Sequence, residues 1–118
     1  MEESLSESVF TKIMRREIPA EIVHEDEECV AFRDIEPQAP VHILVVPRLP
    51  LPGIQSATPT DRDLVGHLMI VAGKLAVQEG ISDTGYRLVV NAGTAAGQTV
   101  DHLHVHLLGG RPMTWPPG

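Results

Sequence analysis

An α+β domain with a mostly antiparallel sheet of about five strands is the fold this sequence predicts. Three observations point to it. Short β-branched runs stand before and after one long amphipathic helix, instead of alternating with several helices. Two of the early runs flank a four-residue acidic turn and read as a hairpin. The chain has 118 residues and one cysteine, which suits a single domain that holds its core without disulfides.

The elements follow in order. Residues 1–7 are polar and expected to be disordered, leaving 8–118 as one domain. Val9, Phe10, Ile13 and Met14 fall at helical spacing with Lys12, Arg15 and Arg16 opposite, a short helix that Pro19 ends. Ile22-Val23-His24 and Cys29-Val30-Ala31-Phe32 form the hairpin around Glu25–Glu28. After Pro37 and Pro40, His42–Val46 reads as a buried strand closed by Pro47. Residues 49–59 are rich in proline and glycine, hence a loop. Thr60 or Asp61 can cap a long helix whose stripe is Leu64, Leu68, Val71, Ala72 and Leu75, with Gly80 at its C-terminal end. Tyr86–Val90 is a strand, and the small-residue loop from Asn91 to Thr99 leads into a last strand at Val100–Leu108, ended by Gly109-Gly110. The tail from Arg111 to Gly118, with three prolines and Trp115, fits no regular element.

Composition narrows the function. Nine Lys and Arg against sixteen Asp and Glu give a net charge of −7, which argues against broad contact with a nucleic-acid backbone. No apolar run reaches the roughly 20 residues that span a bilayer. The acidic start, Met1-Glu2-Glu3, lacks the basic and apolar pattern of a signal peptide, so a reducing compartment, the cytoplasm, is expected.

The chemistry concentrates in His102-Leu103-His104-Val105-His106. If this is one strand, the three imidazoles share a face, with neighbours roughly 7 Å apart, close enough to bind one small anion. Imidazoles titrate near neutrality and can divide the roles of nucleophile, acid and charge stabiliser. Two histidines at i, i+2 with a third elsewhere are also a zinc geometry, so a metal-dependent hydrolase is a rival reading. The loop before the strand favours phosphate. Gly93 and Gly97 permit close backbone approach, Gln98 and Thr99 add neutral donors, and Asp101 is the sole nearby carboxylate. His24 and His67 read as surface or packing residues, Cys29 as a buried apolar strand residue, and Glu25–Glu28 as a solvated turn.

The run His102–Leu108 resembles the signature of the histidine triad (HIT) family, in which three histidines alternate with apolar residues. Flanking Gly97–Val100 and Leu108–Arg111, the tail Trp115–Gly118, and the segments 10–19, 32–41 and 66–71 resemble its Hint branch, so the likeness covers nearly the whole chain. It implies hydrolysis of purine nucleoside 5′-phosphoramidates to AMP or GMP. By this resemblance His104 is the nucleophile that becomes nucleotidylated, His106 contacts the phosphate and helps protonate the amine, His102 organises the cluster, and His42 is a fourth histidine of the pocket. Asp34 would take the ribose hydroxyls, Phe10, Phe32 and Ile35 the base, and Asn91, Gln98 and Thr99 the phosphate surroundings. Trp115 would lie near a partner subunit's site, since the resemblance implies a homodimer with one continuous sheet of about ten strands. No cofactor or metal is implied.

Three positions depart from the commonest Hint pattern. Thr99 replaces serine, Asp101 replaces an uncharged residue and is expected to raise the pKa of nearby histidines, and Thr114 replaces a bulkier residue. The third histidine separates the chain from the transferase branch, where glutamine is common. A nucleotide-sensing or protein-binding module with incidental hydrolysis is the reading from a different class.

Overall fold

The computed structural model describes residues 7–118; of the seven residues expected to be disordered, all but Glu7 lie outside the described part. A short helix α1 (Val9–Met14) precedes strands β1 (Ile22–Glu25), β2 (Cys29–Arg33) and β3 (Val41–Pro47). The long helix α2 (Arg62–Gln78) follows, then β4 (Tyr86–Val89) and β5 (Val105–Gly109). The five strands form one antiparallel sheet in the order β1-β2-β3-β5-β4.

Alternation along the strands assigns two faces. Cys29 and Ala31 of β2, Ile43 and Val45 of β3, and Val105 and Leu107 of β5 pack against the α2 stripe Leu68, Val71, Ala72 and Leu75. These residues are almost wholly removed from solvent and form the main core. The opposite face carries Val30 and Phe32, then Leu44 and Val46, and is covered by Phe10 and Ile13 of α1. Leu44 pairs with His106 across β3 and β5, so the histidine side of β5 belongs to this second, thinly covered face.

The last strand is shorter than expected. Val100–His104 is irregular, and β5 starts only at Val105. Its pairing with β3 ends at Val45–Val105, two residues short of Pro47, which has no N–H to extend the ladder. The chain bonds elsewhere instead: the His102 N–H donates to Val100 O at 2.9 Å and the Leu103 N–H to Leu51 O at 2.6 Å. Only His106 of the three histidines therefore stands in a strand.

Glycines close both ends of this segment. Gly93 and Gly97 adopt φ of 89° and 91° around the short turn Thr94–Ala96, a region that disfavours side chains. At Gly109 a Cβ would crowd the Ile81 side chain, which packs directly over the strand there.

Candidate active site

The second face of the sheet opens into a cleft of about 340 Å³. Phe10, Phe32, Asp34, Ile35, Thr99, His104 and His106, all anticipated from sequence, line it. His42 and His102 stand behind its wall as buried supports. Asn91 and Gln98 do not line it. Gln98 braces the loop: its Oε1 accepts from Gly93 N–H at 2.9 Å, and its Nε2 donates to Pro52 O and Val100 O. Asp101 is exposed and has no hydrogen bond to any histidine.

The hydrogen bonds fix how each ring is protonated. Pro47 O can only accept, so His102 Nε2, 2.8 Å away, carries the proton. His102 Nδ1 then accepts from the Ser8 hydroxyl at 2.6 Å. His104 Nδ1 lies 2.7 Å from His102 O and must donate to it, which leaves the Nε2 lone pair of His104 free at the cleft. His42 Nδ1 accepts the Gln38 main-chain N–H at 3.0 Å, so its proton resides on Nε2 and is given to His106 Nδ1, also at 3.0 Å. The remaining proton of His106 is then on Nε2. That atom is the one buried side-chain polar atom without a partner among the described residues. A buried donor left unpaired is costly, and this one belongs to a residue that lines the cleft.

Electrostatics agree with neutral rings. Burial, then the neighbouring His104 and His42 imidazoles, pulls the His106 pKa down to about 4, with Asp34 opposing. Burial also lowers His42 against the opposing charge of Asp34, and lowers His102 against its bond to Pro47 O. The His104 and His106 ring centroids are 4.9 Å apart, so both address one small group.

The apolar half of the cleft comes from α1 and β2. Phe10 meets Phe32 at 5.5 Å between centroids and the edge of His104 at 4.9 Å. Ile35 is 87% exposed at the rim, an apolar side chain left uncovered by the described residues. Asp34 Oδ1 accepts the Glu36 N–H at 2.8 Å, which orients the carboxylate, while Oδ2 stands 3.5 Å from His42 Nε2. Asp34, His42 and His106 offer donor atoms within 4.8 Å of one another, the set nearest to a metal site in this cleft. A cation held there would have to break the bond between His42 and His106.

Ser8, the first residue of the expected domain, is a site residue that the sequence pattern does not single out. Its Oγ caps α1 by accepting the Thr11 N–H at 3.1 Å while the hydroxyl supports His102. The pattern marks only the cap, a serine directly before the first apolar residue of a helix. Leu44, Ile18 and Ala20 also line the cleft, and none of them is among the site residues expected from sequence.

An antiparallel sheet with one backing helix, and a histidine cluster on the thinly covered face, make up a HIT hydrolase-like fold. The HIT domain family model matches residues 15–113, and the chain belongs to that family. An uncharacterized HIT-like protein of Synechocystis sp. is 56% identical over 112 residues, 95% of this chain and 97% of that protein. A HIT family hydrolase from Legionella pneumophila superposes with a TM-score of 0.92 at 50% identity, covering 95% of this chain and all of the other. A histidine triad nucleotide-binding protein from Candida albicans gives 0.79 at 28% identity, over 93% and 83% of the two chains.

Proposed function

We propose that the protein hydrolyses purine nucleoside 5′-phosphoramidates to the nucleoside monophosphate through a nucleotidyl-His104 intermediate. The observation that carries this reading is the pairing of a free imidazole lone pair with a neighbouring orphaned donor, His104 Nε2 beside His106 Nε2–H. The α-phosphorus sits before His104, and a non-bridging oxygen accepts from His106. Phosphate charge draws one proton into the His42–His106 pair, countering the burial that keeps it neutral in the free protein. His104 Nε2 attacks, the scissile P–N pair leaves with the amine, and that proton goes to the departing nitrogen. The new imidazolium keeps its Nδ1–H on His102 O. Water then attacks phosphorus, the P–N pair returns to His104 as a neutral ring, and the water's proton passes to the His42–His106 pair. The purine lies in the Phe10, Phe32 and Ile35 slot, with the ribose hydroxyls on Asp34.

We also propose a homodimer, with two copies joined along β4. Among the described residues this edge strand has a partner on one side alone, and its Tyr86 is exposed. The buried, reduced Cys29 suits a cytoplasmic setting.

The test is a substrate panel with rapid quenching. Preference for a nucleoside phosphoramidate over a dinucleoside polyphosphate and a phosphodiester is expected, with one nucleotide of added mass trapped on wild type and absent from His104→Ala. Activity that vanishes with a chelator and returns with zinc would instead favour metal-dependent hydrolysis.

A further inference from the structure

On the far side of the sheet from the cleft, four side chains with metal-binding chemistry meet at one carboxylate oxygen. Asp26 Oδ2 lies 2.7 Å from His24 Nε2, 2.8 Å from His67 Nε2 and 3.5 Å from Cys29 Sγ. The groups come from separate parts of the fold: the end of β1, the β1–β2 turn, the start of β2, and α2. The donor atoms of His24, Asp26 and Cys29 fall within 4.8 Å of one another, and His67 reaches the same oxygen from the helix.

We propose that His24, Asp26, Cys29 and His67 form a zinc site that ties the β1–β2 hairpin to α2. Two imidazoles, a thiolate and a carboxylate are the mixed nitrogen, sulfur and oxygen set that suits zinc; magnesium and calcium prefer oxygen alone. The carboxylate is already oriented by outer contacts. Its Oδ1 accepts the main-chain N–H groups of Glu28 and Cys29 at 2.7 and 2.8 Å, and Arg48 Nε holds the Asp26 carbonyl at 2.9 Å. Cys29 is fully buried at the base, whereas the two histidines are each about one-third exposed, which leaves a solvent path. His24 also lines a groove of about 450 Å³ along α2, with Lys74 and Gln78.

The hydrogen-bonded arrangement is compatible with metal entry. Bonds of roughly 2.0–2.3 Å place tetrahedral ligands roughly 3.3–3.8 Å apart, so Asp26 Oδ2 has to retreat from the imidazoles by about an ångström. Each imidazole binds through Nε2 and keeps a proton on Nδ1. The proton on the thiol leaves to solvent as the thiolate takes the metal. Burial, followed by the Asp26 charge, pushes the Cys29 thiol up to about 12, so without metal it is an inert thiol.

The experiment uses chelator-washed full chain titrated with Co²⁺ alone, then with Zn²⁺ alone. One Co²⁺ per chain is expected, with a near-ultraviolet thiolate-to-cobalt band that Zn²⁺ abolishes. The band should be absent in Cys29→Ser, and zinc affinity should fall at least about tenfold in His24→Ala and His67→Ala. The last two positions are partly exposed and keep the test open should the buried serine disturb folding. His104→Ala should retain the cobalt band, which separates this site from the catalytic histidines. Cobalt binding without a thiolate band, or zinc affinity unchanged in both histidine variants, overturns the proposal.

Discussion

The main-chain N–H of Gln38 donates to Nδ1 of His42 from 3.0 Å, and this one bond sets the proton positions of two rings. An amide N–H cannot accept, so His42 is held as the Nε2–H tautomer, and its Nε2–H lies 3.0 Å from His106 Nδ1. His106 must then present Nε2–H to the cleft. The loop entering β3 thereby determines which face of a β5 histidine is acidic, an outer-contact role of the kind seen wherever one ring orients another.

Replacing His42 by Ala removes this constraint. His106 is then free to place its proton on Nδ1 and offer a lone pair to the phosphate. We expect kcat to fall roughly tenfold or more, with a smaller change in KM, because the mispositioned proton matters most as charge develops. Steady-state kinetics on a phosphoramidate check this; a change confined to KM would contradict the tautomer argument.

His106→Ala deletes the donor itself. The loss should be about 10²–10⁴-fold, the usual contribution of a positioned proton donor. It should be larger for a basic alkylamine leaving group than for an activated aryl leaving group, which needs no proton. Equal losses across such a series would remove His106 from the leaving-group step.

Acid should destabilise the fold through the same ring. His106 has a pKa of about 4 when folded against 6.5 as its ordinary value, so between those pH values the unfolded chain binds more protons. Unfolding free energy therefore rises with pH across this window and is lost as pH falls through it. His42 and His102, lowered by burial, act with the same sign. The single-group effect is on the order of 1–3 kcal/mol. Urea unfolding at a series of pH values should show it, and His106→Asn should flatten the slope between about pH 6.5 and 4.

The order of strands and helices was legible because periodicity changed cleanly between segments. The two faces of β3 were not, since His42–Val46 reads as one buried run, and the structure separates Leu44 and Val46 from Ile43 and Val45. The start of β5 was not legible, since Val100–His104 alternates like a strand and only the tertiary position of Pro47 ends the pairing. For the same reason the triad is not three equivalent rings on one face. His102 turns into the protein between Ser8 and Pro47 O, a role set by contacts 94 and 55 residues distant in sequence. Asp26 was hidden within an acidic run that read as solvated, and nothing local marks it as the meeting point of His24 and His67.

Ser8 joins local helix chemistry to the site, and its removal separates two costs. In Ser8→Ala the Thr11 N–H loses its cap, worth about 1 kcal/mol. The fully buried Nδ1 of His102 also loses its one donor among the described residues, a further cost of about 1–3 kcal/mol, the order seen for an orphaned polar atom. The urea midpoint should drop accordingly with an unchanged slope. Ser8→Thr, which keeps the hydroxyl, should stay near wild type. Because His102 O accepts the Nδ1–H of His104, loosening His102 should also lower kcat, and threonine should restore it. A Ser8→Ala protein with unaltered stability and turnover would mean that the Ser8 hydroxyl does not govern the triad.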